Sequence, residues 1–171
     1  MAKLRKFAAY QSLERPYTRI SKYSKKNYVR GGFPNMKIIK FDMGTLNKEF
    51  ETTLKLTSLD SLNIRHNAIE AARTTSNRLL EKSIGKEYYL KIKIYPFHVL
   101  RENPLASGAG ADRMSTGMKK AYGKSIGSAA RIKAGQTLME VKVNKINIKV
   151  AKSALERASK KFPCTCKIVA A

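Results

Sequence analysis

Residues 61–95, SLNIRHNAIEAARTTSNRLLEKSIGKEYYLKIKIY, change period once, and that change decides the fold class. From 61 to 84 the small and apolar positions recur at helical spacing. Ile64, Ala68, Ala72, Leu79 and Ser83 share one stripe, with Ile69 and Leu80 beside it. Asp60 or Ser61 stands where it can cap the first N–H groups, and Gly85 where a left-handed residue closes a helix. From Tyr88 onward strict alternation takes over. Tyr88, Leu90, Ile92 and Ile94 fall on one face, and Tyr89, Lys91, Lys93 and Tyr95 on the other, the pattern of a half-buried strand.

Working outward, residues 36–41 (MKIIKF) and 50–56 (FETTLKL) read as two earlier strands, the first ended by Met43-Gly44. After Pro96, residues 97–100 resume an extended run. Residues 129–133 and 136–143 read as a strand pair turned at Ala134-Gly135. Residues 147–161 form a second amphipathic helix with Val150, Ala151, Ala154, Leu155 and Ala158 inward, Glu156 and Lys160 supporting its outer face at i,i+4. Pro163 ends it, and residues 166–170 close the sheet. Six or seven strands and two helices in this order do not alternate as βαβ units. The expected fold is α+β, a two-helix α/β sandwich with a mixed or antiparallel sheet.

Charge divides the same chain differently. Its 171 residues include 35 Lys+Arg and 12 Asp+Glu, a net charge of +23 that calls for a polyanionic partner. Residues 51–100 carry only +3 of it, while residues 1–50 carry +9 and 101–150 carry +7. The reading is a balanced body with basic appendages: an extension over 1–34, then a single α+β domain over 35–171 with an inserted loop at 101–131. The extension is aperiodic, with six aromatics set among nine Lys/Arg in residues 1–33, and it is expected to be ordered only by RNA. Its candidate RNA contacts are Arg15, Tyr17, Arg19, Lys22, Lys25, Lys26, Tyr28 and Arg30. Cations neutralise phosphates and tyrosines stack on unpaired bases. The loop is rich in glycine and basic residues, and its candidates are Arg101, Arg113, Met114, Lys119, Lys120, Lys124 and Arg131. Neither helix is basic enough to be a DNA recognition helix, so structured RNA fits better.

Enzyme-like strings dissolve on inspection. Tyr122-Gly123-Lys124-Ser125 resembles the end of a phosphate-binding loop, yet Met118 stands where the motif needs its first glycine. Gly108-Ala109-Gly110-Ala111-Asp112 hints at a dinucleotide turn, but Arg113 replaces the third glycine. His66 and His98 lack partners at metal spacing and read as structural. Cys164 and Cys166 are half of a zinc site at most, and in a strand both point into the core. No cofactor or metal is implied. Two cysteines build no disulfide framework, no window holds eighteen apolar residues, and no apolar core follows the basic start. The expected compartment is the cytoplasm, with no membrane partner.

Several strings together resemble a known family. Arg15-Pro16-Tyr17, and Arg30-Gly31-Gly32-Phe33-Pro34 leading to Lys37-Ile38-Ile39-Lys40-Phe41-Asp42-Met43-Gly44, are similar to the opening of the universal L-sixteen family of large-subunit ribosomal proteins in its archaeal and eukaryotic L-ten-e form. Ile69-Glu70-Ala71-Ala72-Arg73 resembles its first helix, and Phe162-Pro163 the exit from its second. Tyr95-Pro96-Phe97-His98-Val99-Leu100-Arg101, followed by Gly108 to Met118, resembles its most distinctive stretch. The likeness runs from about Arg15 to the end. The chain stops at Ala171 without the extended tail of eukaryotic members, so an archaeal source is expected.

The resemblance implies an α/β-hammerhead core and a structural role in the large subunit. The partners it implies are large-subunit rRNA near the aminoacyl-tRNA site and peptidyl-transferase centre, 5S rRNA, neighbouring ribosomal proteins, and tRNA in the A and P sites facing the glycine-rich loop. Chemistry would belong to the RNA. The alternatives are an RNA-modifying enzyme and a basic DNA-packaging protein.

Overall fold

The computed structural model describes residues 6–18, 29, 31–103 and 123–170. Eight strands and two α-helices occur among them. They are β1 (Asp42–Gly44), β2 (Thr52–Ser58), β3 (Leu62–Arg65), α1 (His66–Ile84), β4 (Tyr89–Ile92), β5 (His98–Glu102), β6 (Lys124–Ile132), β7 (Thr137–Val143), α2 (Ile148–Ser159) and β8 (Cys166–Ala170). A five-stranded sheet runs β1-β4-β7-β2-β8 and a three-stranded sheet runs β3-β6-β5. Every pairing is antiparallel, which settles the mixed-or-antiparallel alternative.

The large sheet buries one face against the helices. Leu54 pairs with Val141 and Leu56 with Met139 across β2 and β7; Leu90 and Ile92 meet the same two residues from β4. Strand periodicity puts all six on one face. Ile69, Ala72 and Leu80 of α1 and Ala151, Ala154, Leu155 and Ala158 of α2 complete that core. The alanines let α2 lie close to α1 and to the sheet. The alternation read at residues 88–95 holds, since Tyr88, Leu90, Ile92 and Ile94 are all buried. Gly85 ends α1 with φ +62 and donates its N–H to the Glu81 carbonyl at 3.1 Å.

Other expectations fail for reasons that can be named. Residues 36–41 form no strand; the ladder to β4 begins only at Asp42, beside a bond from the Ile92 N–H to the Phe41 carbonyl at 2.9 Å. The helix does not start at Ser61. Leu62–Arg65 is a strand paired with β6, and Arg65 occupies the helix N-cap without a side-chain cap. Asp60 and Ser61 cap nothing. Asp60 accepts the Thr165 N–H at 2.8 Å, and Ser61 Oγ accepts the Ala134 N–H at 2.9 Å. β6 and β7 do not pair with each other; they lie in different sheets. The expected loop is shorter than 101–131, because Arg101 lies on β5 and Lys124 and Arg131 on β6.

No helix of the described residues is long and apolar enough to cross a membrane. The core makes a direct prediction. Leu56 is wholly buried between β7 and β8, so Leu56→Ala should cost about 2–5 kcal/mol in urea unfolding. Ile146, 92% exposed, should tolerate Ala within about 0.5 kcal/mol.

Candidate nucleic-acid interface

The candidate RNA contacts that fall on described residues gather around the small sheet. Its middle strand β6 is buried from Gly127 to Ala130, but Lys124 and Arg131 at its ends face outward. β5 lies beside it and carries Arg101. The N-terminal segment 6–18 packs on this sheet, which corrects the expectation that only RNA orders it.

Three polar anchors hold the segment. Asn63, buried on β3, donates its backbone N–H to the Gln11 carbonyl at 3.0 Å, and its side-chain amide donates to the carbonyls of Ser12 at 2.7 Å and Tyr10 at 3.3 Å. Tyr17 N–H donates to His98 Nδ1 at 2.9 Å, and Val99 N–H returns to the Tyr17 carbonyl at 3.1 Å. Tyr10 fills a small apolar cluster with Leu100 and Ala129. A segment with no period of its own is thus docked by main-chain hydrogen bonds, which leave no mark in side-chain spacing.

This docking sets the aromatic and cationic residues against one another. The Arg101 guanidinium lies over the Tyr17 ring at 3.6 Å, and Arg65 lies over Tyr10 at 5.3 Å. Stacking of this kind holds a guanidinium plane in place while its edge N–H groups stay directed outward. Arg15 on the segment is exposed. The expected pair Arg15 and Tyr17 is therefore brought to the same sheet as Arg101, Lys124 and Arg131. Arg19, Lys22, Lys25, Lys26, Tyr28 and Arg30 lie outside the described residues, as do Arg113, Met114, Lys119 and Lys120.

Both histidines are buried parts of this scaffold. Burial chiefly holds His98 below its ordinary pKa, Arg131 and Arg101 adding to the effect against the opposing Glu14. His66 is lowered likewise by burial and then by Lys37 and Arg65, and its Nδ1 lies 3.1 Å from Ser128 Oγ. His98 positions the segment, His66 bonds to Ser128 of β6, and the positive field is left to arginine and lysine. The sequence marks His98 only as structural, and Asn63 belongs to no motif. A lone Asn between Leu62 and Ile64 was the available signal, since a polar side chain inside a buried strand needs partners.

Of the enzyme-like strings, residues 108–112 lie outside the described residues, and Gly123 has a structural explanation. Gly123 has φ +132, and a Cβ there would come within 2.2 Å of the Glu102 carbonyl oxygen. Its glycine is required by this close approach of backbone to backbone. Cys164 and Cys166 are half-buried against the main core, with their sulfurs 3.5 Å apart. A hydrogen bond from Cys166 pulls the Cys164 thiol down to about 7. No group of three His, Cys, Asp or Glu side chains among the described residues is placed to hold a metal.

Comparison with known proteins finds one family. The family model described as Ribosomal protein L16p/L10e matches residues 18–169. Archaeal proteins named large ribosomal subunit protein uL16 are similar over most of their length. The protein of Staphylothermus marinus is 44% identical over 158 residues, 91% of this chain and 90% of its own. Those of Methanocella arvoryzae and Methanospirillum hungatei are 44% and 45% identical over 148 residues, 86% of each chain.

The histidine geometry predicts a pH dependence. A histidine with a lowered folded pKa binds fewer protons folded than unfolded, so its stabilising effect is complete above about pH 6.5 and is lost as pH falls through the folded value. Thermal unfolding should show the parent losing stability between about pH 7 and pH 5. His98→Asn should reduce the slope of that loss, whatever its effect on stability at neutral pH. An unchanged slope would show that burial does not hold His98 neutral.

Proposed function

The chain belongs to the Ribosomal protein L16p/L10e family, and from that membership we propose that it is a structural, non-enzymatic constituent of the large ribosomal subunit in the cytoplasm. Its partners are then large-subunit rRNA and neighbouring ribosomal proteins. The observation that carries the reading is the small sheet, around which Arg15, Arg101, Lys124 and Arg131 gather on a folded support in a chain of net charge +23. Cations fixed in this way contact phosphates at a lower entropic cost than cations on a free tail.

The finer assignments follow the resemblance of the sequence strings. The core is of the α/β-hammerhead type, residues 1–34 form a basic rRNA-binding extension, and residues 35–171 form one domain carrying the glycine-rich loop. The protein shapes rRNA near the aminoacyl-tRNA site and the peptidyl-transferase centre, close to 5S rRNA. The loop, with Arg113, Met114, Lys119 and Lys120, is directed at tRNA acceptor arms in the A and P sites. Lys124 and Arg131 anchor its far side on β6, and Arg101 its near side on β5. Family membership sets aside the RNA-modifying enzyme and the DNA-packaging protein.

Two measurements test this reading. If six to ten basic side chains sit on phosphates, affinity for a large-subunit rRNA fragment should fall by about 10³–10⁵-fold between about 50 and 200 mM salt, and a flat response would sink the electrostatic argument. Arg113→Ala, or shortening at 108–117, should leave unfolding of the free protein within about 0.5 kcal/mol of the parent. The same variants should slow translation by reconstituted subunits. Normal translation with the loop shortened would refute its assignment.

A further inference from the structure

A groove of about 950 Å³ opens between the two sheets, beside the β4–β5 connection. Its rim carries an aromatic ladder that the docking of the N-terminal segment does not use. Phe41 stacks on Tyr95 with ring centroids 5.4 Å apart and planes 20° from parallel, and Phe97 follows at 4.6 Å, tilted by 47°. Of its three rings, only Phe41 packs against the main core. Tyr95 is 47% exposed and Phe97, at its end, 66% exposed. Three aromatic rings in contact, two of them open to water, form a surface that the fold has no need of.

The charges around the groove select among occupants. Lys93 and Arg131 line it, and no Asp or Glu does among the described residues. Lys93 already pairs with the buried Glu140 at 3.0 Å, which leaves the exposed Arg131 as the principal cation. An apolar peptide would bury the rings but gain nothing from this cation. A nucleotide matches both features, because every base has a flat face for the ladder and every phosphate a charge for the guanidinium. Duplex RNA fits poorly, since its bases are stacked on one another and present no free face.

Building on the reading of this chain as an RNA-binding ribosomal protein, we propose that the groove takes one unpaired RNA nucleobase, stacked on Phe97 as the next rung of the Phe41–Tyr95–Phe97 ladder, with an adjoining phosphate on Arg131. Phe97 is held outward for this task by its neighbours. Pro96 and His98 are buried on either side of it, and the Phe97 N–H donates to the Tyr95 carbonyl at 3.0 Å.

The test uses the full chain and two probes: a single-stranded RNA octamer with 2-aminopurine at its centre, and a duplex RNA of the same length. Parent protein should bind the single strand and quench the 2-aminopurine fluorescence through stacking. Phe97→Ala should weaken single-strand binding about 10-fold and abolish the quenching, because removal of a stacking ring costs a large part of the binding of one base. Phe97→Tyr should restore both. Duplex affinity should change less than about twofold in either variant, as phosphate contacts dominate it. Equal binding and quenching by parent and Phe97→Ala would overturn the proposal. So would normal RNA binding by Phe97→Ala joined to failure to assemble into subunits, which would make the groove a protein-docking site. Loss of duplex and rRNA binding by the parent itself would instead contradict the ribosomal reading, so the two failures are distinguishable.

Discussion

The two sheets are joined where the β2–β3 and β6–β7 connections meet, and the hydrogen bonds there fix how the small sheet stands on the large one. Gly135 N–H donates to the Ser58 carbonyl at 2.7 Å, and Ser58 N–H donates to the Gln136 carbonyl at 3.0 Å. Ala134 N–H reaches Ser61 Oγ, and Gln136 closes its own turn by accepting the Lys133 N–H on Oε1 at 3.0 Å. The β8 end is tied to the same place, for Leu59 donates to the Thr165 carbonyl and Asp60 accepts from the Thr165 N–H. Each of these groups would otherwise be left without a partner as the chain leaves one sheet for the other, and an unpaired backbone group near the core costs as much as a lost hydrogen bond. The junction thus satisfies polar groups and sets geometry in one arrangement.

What stands on the junction is the support of the basic candidates. Once β3 is placed, Asn63 presents its amide to the carbonyls of Tyr10 and Ser12, and the N-terminal segment follows. Once β5 is placed, His98 receives Tyr17, and Arg101 stacks on that ring. The groove between the sheets arises from the same separation, since the β4–β5 connection must cross it and carries Tyr95 and Phe97 at the crossing. Docked arm, stacked arginine and aromatic ladder therefore share one cause. The large sheet and its helices supply stability, while the small sheet supplies the surface.

Helical spacing in residues 61–84 and alternation at 88–95 make α1 and β4 legible, because each has one buried face and a period that shows it. The failures have physical sources. Ile64 lies four residues before Ala68, so a buried strand residue kept phase with the helix that follows and concealed β3. β6 and β7 flank a glycine turn as a hairpin would; their ladders to other strands, and bonds at the turn to Ser58 and Ser61 more than seventy residues away, send them to different sheets. The basic candidates Arg15, Tyr17, Arg101, Lys124 and Arg131 were legible from charge and aromatic content. Their gathering was not, because Asn63 and His98 achieve it through main-chain partners.

The central claim is that a folded body holds cations and rings in place for ribosomal RNA. It is tested most directly by following the full chain through a sucrose gradient of ribosomes from cells that make it, with the large-subunit fraction then washed in moderate salt. The chain should travel with the large subunit, be absent from the small subunit and from free DNA, and stay bound through the wash. A chain found at the top of the gradient, or bound to DNA rather than to the subunit, would contradict it.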